Sequence, residues 1–260
     1  MPSTGLSGSQ VLDVCEQVVA LAAGHPPAAG SRALGLYQCV KLMLLALRHN
    51  LTQELLAELL DVSQPTVSRV ISTYTPLLAR ALEANVPTVE DLDPPATTLV
   101  IDGSVLACWD WRDHPELCSG EYRRTGLNVQ VACTLSGSLA WVSDPLPGSV
   151  HDATAIRAYG LLDASGAHLP PGTDPPRHIG DKGYIGLGMI TPVRKPPGRT
   201  LHQSDKTHNT SINTIRYVVE RTIANIKTRR VLHTGYRRPI QTFPTTITAV
   251  LGIIITYTHE

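Results

Sequence analysis

Apolar residues recur at helical spacing through the first third of the chain. The pattern predicts a helix over about 10–23 and another from Leu34 onward. Thr52 is a candidate N-cap for a helix over 53–60, and Ser63 for a second helix, with Pro65 in its first turn, that runs to about Leu82. Asp61 and Val62 form the break between them. The residues expected to face inward are Leu55, Leu56, Leu59, Leu60, Val62, Val67 and Ile71.

A short helix, a tight turn and a helix with a polar first turn have the layout of a helix-turn-helix. Such a second helix reads DNA, where Gln and Arg suit base edges and Thr and Ser suit phosphates or smaller contacts. The predicted DNA contacts are Gln64, Thr66, Ser68 and Arg69. An ordinary helical hairpin produces a similar pattern and stays open as the alternative.

The apolar period becomes strand-like after a proline-rich, acidic linker. A short strand over 99–101 ends at Asp102, and alternation over 122–142 predicts a β-hairpin with its turn at 135–138. The remaining predicted elements are a helix from Val150 to about Leu162, strands over 177–180 and 189–193, a basic loop over 194–210, a long helix over about 213–230 and an apolar helix over 243–257. This order predicts an α/β fold of α+β type, a mixed sheet with helices packed on it.

The predicted organisation is an N-terminal helix or arm over 1–33, a helix-turn-helix domain over 34–85, a linker over 86–97 and a sheet domain over 98–260. Hydrophobic residues are 42% and charged residues 17% of 260, which excludes a disordered chain and a coiled coil. The five Cys form no CxxC pair, which argues against a disulfide framework and a Cys-type zinc site. With no signal peptide at its start and no stretch suited to a bilayer, we expect a soluble, cytoplasmic protein.

Positive charge is concentrated in one part of the chain. Eleven basic residues and only two acidic ones lie between Arg194 and Arg238, although Lys+Arg and Asp+Glu are 22 each overall. Such segregation favours a face that binds a polyanion. A solvated basic helix without a partner is the alternative.

Three acids form a candidate site. Asp102 and Asp181 each follow a short apolar strand, which predicts positions at the carboxyl edge of the sheet. Glu220 shares one stripe of the long helix with Arg216 and Lys227, so it should remain ionised. Carboxylates without a nearby Cys/His cluster favour Mg²⁺ or Mn²⁺ over zinc. Structural roles stay open: Asp102 capping a turn, Asp181 in a glycine turn, and Glu220 paired with Arg216.

The motifs VIDGS, GEYRRTGLNVQVACTLSGSLAWVS, PGSVHDATAI, IGDKGYIG and RYVVERTIANIKTRRVL occur in this order. Together they resemble the successive blocks of a DDE-type transposase domain, in the branch of DDE superfamily endonucleases from insertion-sequence and PIF/Harbinger elements. The segment before them is similar to the helix-turn-helix of the same transposases. The resemblance covers residues 35–258, and the combination of blocks is more specific than any one of them.

The resemblance implies an RNase H-like catalytic domain over 98–260. It implies Asp102, Asp181 and Glu220 as catalytic residues that hold two Mg²⁺ or Mn²⁺ ions. Asp152 matches a further position of the family as a supporting residue, with direct metal ligation as its alternative. The implied phosphate contacts are Arg216 and Lys227 near the metals, and Arg194, Lys195, Arg199, Arg229 and Arg230 elsewhere.

The implied function is a transposase that cleaves element ends and joins them to target DNA. Its partners would be double-stranded DNA, at terminal inverted repeats and at the target, and further copies of itself in a homodimer or larger synaptic complex. It would act in the cytoplasm at the nucleoid, away from membranes. Three alternatives remain: a catalytically silent DNA-binding regulator derived from a transposase, an RNase H-like nuclease that only hydrolyses, and a plain α/β domain whose apolar last helix meets another subunit.

Overall fold

The chain folds into two compact units, and its C-terminal segment belongs to the same unit as its N-terminal helices. The computed structural model describes residues 3–22, 25, 33–92, 97–109, 113–120, 122–164 and 177–257. A helical unit comprises Met1–Val86 with Ile226–Glu260, and a sheet unit comprises Pro87–Asn225. By packing, the segment from Ile226 onward groups with the helical unit, whereas the sequence predicts a single domain over 98–260. Parts of the predicted arm (1–2, 23–24 and 26–32) and linker (93–96) lie outside the described residues.

Eight α-helices and five strands are present in the described ranges. The helices are α1 (Gly8–Leu21), α2 (Leu36–His49), α3 (Gln53–Leu60), α4 (Gln64–Leu82), α5 (Asp152–Ala158), α6 (Leu161–Ala164), α7 (Gln203–Lys227) and α8 (Phe243–Tyr257). The strands are β1 (Leu99–Ala107), β2 (Cys118–Ser119), β3 (Arg124–Thr134), β4 (Leu139–Val142) and β5 (Leu146–Pro147). Helices followed by a sheet with its own helices confirm the predicted α/β class.

Helix α4 is the centre of the helical unit. It packs against α1, α2, α3 and α8, and it buries Val67, Val70, Tyr74 and Leu78. Helix α8 approaches it so closely that a Cβ added at Gly252 would lie 2.5 Å from Leu82 Cβ. Burial of this apolar helix against α4 explains why the C-terminal segment packs in the helical unit.

The bounds predicted for α3 and α4 agree with the structure. The Thr52 hydroxyl accepts a hydrogen bond from the Leu55 amide, and Asp61 ends α3 in the left-handed conformation at φ 52°. The predicted orientation of two leucines is wrong, because Leu55 and Leu59 are 42% and 62% exposed. A helix of eight residues makes about two turns and buries only one stripe, which here holds Leu56.

Strand β3 is the centre of the sheet unit. It pairs antiparallel with β1, which places Asp102 opposite Val131, and also with β2, β4 and β5. The predicted hairpin is therefore confirmed as β3 and β4. The strands predicted at 177–180 and 189–193 are reduced to single parallel bridges, from Val100 to Ile179 and from Ile179 to Ile190.

Three predicted boundaries are wrong. Strand β1 continues to Ala107, so Asp102 lies within the strand, because main-chain pairing with β3 continues past the apolar run. Helix α7 begins at Gln203, inside the predicted loop. Its polar first turns lack an apolar period, and hydroxyls such as Thr207 donate to the carbonyl four residues earlier. The helix predicted over 150–162 is divided at Gly160, whose φ is 65°.

The segment Ile240–Tyr257 has the length and composition of a membrane-spanning helix, with half of it buried inside the protein. Core helices often have the same character. Helix α8 within this segment packs on α4, which accounts for its apolar residues without a membrane.

Candidate active site

Asp102 lies in the middle of β1, where burial and the charge of Arg216 have opposite effects on its pKa. Its carboxylate accepts hydrogen bonds from the Gly103 amide at 3.1 Å and from Arg216 Nη2 on α7 at 3.2 Å. Burial raises the pKa of Asp102 to about 6; the Arg216 charge lowers it, and the carboxylates of Asp181 and Asp152 raise it. Asp102 is therefore a partly desolvated acid in the field of two others.

Asp181 caps the short turn Lys182–Tyr184, two residues after the single bridge at Ile179. Its Oδ1 accepts a hydrogen bond from the Gly183 amide at 2.6 Å. The glycine-turn role left open by the sequence is therefore present. It occupies one carboxylate oxygen, and no hydrogen bond to the other oxygen is found among the described residues.

Asp152 is held by a buried amide network at the start of α5. Its Oδ1 accepts hydrogen bonds from Asn128 Nδ2 at 2.8 Å and Gln130 Nε2 at 3.0 Å, both on β3. The Tyr184 hydroxyl donates to Gln130 Oε1 at 2.6 Å, which directs the amide nitrogen of Gln130 toward Asp152. Both bonds end on Oδ1, and in the described ranges Oδ2 has no hydrogen-bond partner.

Gly103 is required by the position of Asp152. A Cβ added at Gly103 would lie 2.1 Å from Asp152 Oδ1 and 2.4 Å from Oδ2. The carboxylate therefore packs directly on the backbone of β1, one residue beyond Asp102. Only glycine leaves this space.

The structure brings together Asp102, Asp181 and Asp152. The negative charges of Asp181 and Asp152 each raise the pKa of Asp102. Glu220 lies on α7 one turn beyond Arg216, is exposed, and makes no ion pair or hydrogen bond with the described residues. Arg216 pairs with Asp102 instead of Glu220. Within the described part of the chain, no three His, Cys, Asp or Glu side chains are arranged to hold a metal ion.

The donor chemistry nevertheless fits a hard divalent cation. Oxygen ligands from carboxylates suit Mg²⁺ and Mn²⁺. Mutual repulsion among Asp102, Asp181 and Asp152 would fall when a cation binds. Arg216 provides the compensating charge in this structure, and its Nε is buried with no hydrogen-bond partner in the described ranges.

The basic loop before α7 is anchored at its base. Val193 donates to Asn209 Oδ1 at 2.7 Å and accepts from Asn209 Nδ2 at 3.0 Å, so one amide pairs with both backbone groups. The predicted phosphate contacts that follow, Arg194, Lys195 and Arg199, are exposed. Their charges are therefore accessible on a segment fixed to the first turns of α7.

Two predicted DNA contacts are contradicted by burial. Arg229 is 2% exposed and donates to the Thr4 carbonyl at 2.8 Å inside the helical unit. Burial and the nearby Arg48 lower the pKa of Arg229 to about 10. Thr66 is 8% exposed, and its hydroxyl is hydrogen bonded to Ser63 Oγ at 3.0 Å, where it helps to close the start of α4.

The other predicted contacts remain accessible to solvent. Arg69 and Arg230 are exposed, while Gln64, Ser68 and Lys227 are partly buried. Gln64 donates to the side chain of Gln53 on α3, which fixes it at the junction of the two helices. The first turns of α4 thus present Ser68 and Arg69 as the polar groups best placed for a ligand.

Two family comparisons match the chain, one over its N-terminal helices and the other over most of the sheet unit and of the C-terminal segment. Residues 113–254 match the family described as DDE superfamily endonuclease, and residues 34–84 match the helix-turn-helix of DDE superfamily endonuclease. The chain therefore belongs to the DDE superfamily endonucleases, the transposase family that the sequence motifs resemble, whose fold is RNase H-like. Asp152, Asp181 and Glu220 lie in the first matched range, and Asp102 precedes it.

Two relatives from insertion sequences are similar to the chain. A protein assigned as the transposase for insertion sequence element IS112 from Streptomyces albus G is 31% identical over 71% of this chain and 66% of its own length. One assigned to element IS702 from Microchaete diplosiphon is 34% identical over 42% of this chain and 40% of its own length. The chain thus spans less than two thirds of each relative. No solved structure matches it.

Sequence reasoning missed the residues that hold Asp152. Asn128, Gln130 and Tyr184 are 4%, 0% and 0% exposed, and together they form the buried network. The signal was the pair of amide residues at alternate positions of a strand otherwise rich in apolar residues. Two buried amides on one face require polar partners there.

Proposed function

We propose that this protein is an active transposase: it cleaves DNA at the ends of a mobile element and joins the freed ends to target DNA. Membership of the DDE superfamily endonucleases supports the broad class, and the cluster of Asp102, Asp181 and Asp152 beside Arg216 carries the proposal. Endonucleases of this superfamily depend on divalent metal. Asp102, Asp181 and Glu220 are the proposed ligands of two Mg²⁺ or Mn²⁺ ions, with Asp152 as a supporting residue or a further ligand.

The chemistry follows from the placement of charge. When bound, such ions supply activation of an attacking oxygen and stabilisation of a leaving one in phosphoryl transfer. Arg216 holds Asp102 Oδ2 in one orientation, and Asn128 and Gln130 hold Asp152 with its Oδ2 unoccupied by other hydrogen bonds. These contacts orient the acids before DNA arrives.

Glu220 enters the site from α7 in this proposal. Its side chain is exposed and makes no hydrogen bond or ion pair with the described residues. It is therefore free to turn toward a metal ion held between the acids and the DNA. Arg216, one turn earlier, already reaches Asp102 from the same helix. To complete the set of acids, Glu220 must move from its exposed position toward Asp102 and Asp181 when DNA and metal bind.

DNA binding is assigned to both units. Arg69, Ser68 and Gln64 would contact the terminal inverted repeats, while Arg194, Lys195 and Arg199 would track phosphates near the acids. The helix-turn-helix match supports the first assignment, and exposure of the basic loop supports the second. Binding of this kind weakens steeply with salt because counterions are released from the DNA. We also propose that two or more copies act together at nucleoid DNA in the cytoplasm.

The test uses the full chain and labelled duplexes from the DNA that flanks its gene, with a plasmid as target. The wild type should nick the duplex and join its 3′ end to the plasmid in Mg²⁺. Asp102→Asn, Asp181→Asn and Glu220→Gln should each abolish both products. Asp144→Asn is the matched control, because Asp144 is an exposed acid of the same unit that no site contact uses.

The products separate the alternatives. Nicking without joining indicates a nuclease that only hydrolyses. DNA binding without either product indicates a silent regulator, and the absence of specific binding indicates the plain α/β domain. Full activity in Asp102→Asn or Glu220→Gln would exclude the proposed site.

A further inference from the structure

A cavity of about 400 Å³ lies in the helical unit between α4 and the segment just before and within the start of α8. Two guanidinium groups and several hydroxyls line it, and none of its described lining residues is acidic. The residues that matter for its chemistry are Ser68, Ser72, Thr75, Arg237, Arg238 and Thr245. Such a lining is suited to an anion.

Thr75 gives this cavity a second, independent feature. The residue is 1% exposed, and its hydroxyl has no hydrogen-bond partner in the described part of the chain. An unsatisfied buried hydroxyl destabilises the folded state, so such groups normally have a partner. The hydroxyl itself is closed to solvent, so a rotation about χ1 is needed before it can donate to an oxygen bound in the cavity that Thr75 lines.

Arg238 is already held over α4. Its Nη2 lies 3.4 Å from Ser72 Oγ, a long hydrogen bond that leaves further donors of the guanidinium to other groups. Ser68, one turn before Ser72, lines the same cavity and is also a predicted DNA contact. The cavity is therefore continuous with the side of α4 that is expected to meet DNA.

We propose that this cavity binds a backbone phosphate of duplex DNA, with Arg238 and Arg237 as the charged contacts and Ser72 and Thr75 as hydroxyl donors. The inference rests on the proposed function, since it needs α4 to bind DNA. A phosphate held here fixes the register of α4 on the duplex without reading sequence. The C-terminal segment thus completes the DNA-binding unit begun by residues far earlier in the chain.

The experiment measures fluorescence anisotropy of the full chain with two labelled duplexes, one from the DNA flanking its gene and one of unrelated sequence. Arg238→Gln and Arg237→Gln should each weaken binding to both duplexes about tenfold at moderate salt. Each should also reduce the slope of log Kd against log salt by about 0.9, as expected for one lost phosphate contact. Arg80→Gln removes the same charge from an exposed position of α4 outside the cavity and should leave both quantities unchanged.

Thr75→Val tests the hydroxyl while keeping the shape of the side chain. The thermal midpoint of the free protein should stay the same or rise, because a buried unpaired hydroxyl is removed, while DNA affinity should fall about fivefold. Loss of affinity together with a lower midpoint would point to misfolding and overturn this assignment of Thr75.

The two proposals fail in different ways. If Arg69→Gln weakens DNA binding while the Arg238 and Thr75 variants keep the wild-type Kd and salt slope, the cavity does not bind phosphate and the helix-turn-helix assignment stands. If the wild type binds neither duplex, both the proposed function and this inference are overturned.

Discussion

Arg216 donates a hydrogen bond to Asp102 across 3.2 Å and joins helix α7 to the middle of strand β1. The two side chains are only 14% and 20% exposed, so water screens the pair weakly. The pair links the first proposed catalytic acid to the helix that carries the third. Its strength therefore bears on both folding and the geometry of the acids.

Removing the arginine should destabilise the protein. Arg216→Ala leaves the buried Asp102 carboxylate without its counter-charge, and we expect the free energy of unfolding to fall by about 3 kcal/mol in urea titrations at pH 7. Arg221→Ala is the matched control, because exposed Arg221 makes one long hydrogen bond, 3.4 Å to the Ser136 carbonyl. Equal losses in the two variants would contradict a special role for the Arg216 pair.

The pH dependence of stability should show the raised pKa of Asp102. Since burial raises that pKa to about 6 from 3.8, the folded protein binds the proton more tightly than the unfolded chain. The free energy of unfolding should therefore fall as the pH rises from about 4 to about 6. The Asp102→Asn variant does not lose this stability. Relative to the wild type, its free energy of unfolding should therefore rise by about 3 kcal/mol as the pH rises from 4 to 6, and then level off.

Urea titrations in the presence of a chelator measure this difference without bound metal. Asp91→Asn is a control of opposite sign, because hydrogen bonds from Thr88 lower the pKa of Asp91. Its stability relative to the wild type should fall as pH rises through the normal range of a carboxyl group. Parallel curves for Asp102→Asn and the wild type would show that Asp102 has an ordinary pKa.

Gly103→Ala should displace Asp152. The added methyl would overlap the Asp152 carboxylate, so either strand β1 or helix α5 must shift. We expect a loss of about 2 kcal/mol in stability from overpacking, together with at least a tenfold fall in DNA cleavage. Gly120→Ala, in the same unit with open space around its Cα, should change neither quantity. Unaltered cleavage in Gly103→Ala would mean that the position of Asp152 is unimportant.

Tyr184→Phe should loosen the amide network. It leaves Gln130 Oε1 buried without its donor at a cost of about 1–3 kcal/mol, and it removes the bond that orients the Gln130 amide toward Asp152. Thermal unfolding measures the loss of stability. Calorimetry measures the Mn²⁺ affinity, which should fall because Asp152 is less firmly oriented. Tyr159→Phe, which loses a hydroxyl bonded to the Asp144 carbonyl outside the network, should retain Mn²⁺ affinity.

Two adjacent arginines should give opposite phenotypes. Arg229→Ala opens a hole and leaves the Thr4 carbonyl unpaired, so the free energy of unfolding should drop by about 2–4 kcal/mol. Arg230→Ala alters an exposed charge, so stability should change by less than about 0.5 kcal/mol while DNA affinity falls. Chemical denaturation and anisotropy on both variants measure these effects. Reversed phenotypes would contradict the buried placement of Arg229.

Local signals were sufficient where each residue acts through its near neighbours in sequence. Thr52 and Ser63 mark the starts of α3 and α4, and the alternation along β3 marks the hairpin with β4. The helix-turn-helix and the class of the fold follow from such periods and caps. The acids Asp102 and Asp181 were found from their places after apolar runs, although the end assigned to the first strand was wrong.

Only the tertiary structure decided what distant residues do to one another. The sequence determined the helices, the central hairpin and the candidate acids, because propensity and period are properties of short segments. It could not show that Arg229 is buried while Arg230 is exposed, that Asn128 and Gln130 hold Asp152, or that α8 packs on α4. Those outcomes depend on which surfaces meet when the chain buries its apolar area, and burial couples residues without regard to their separation in sequence.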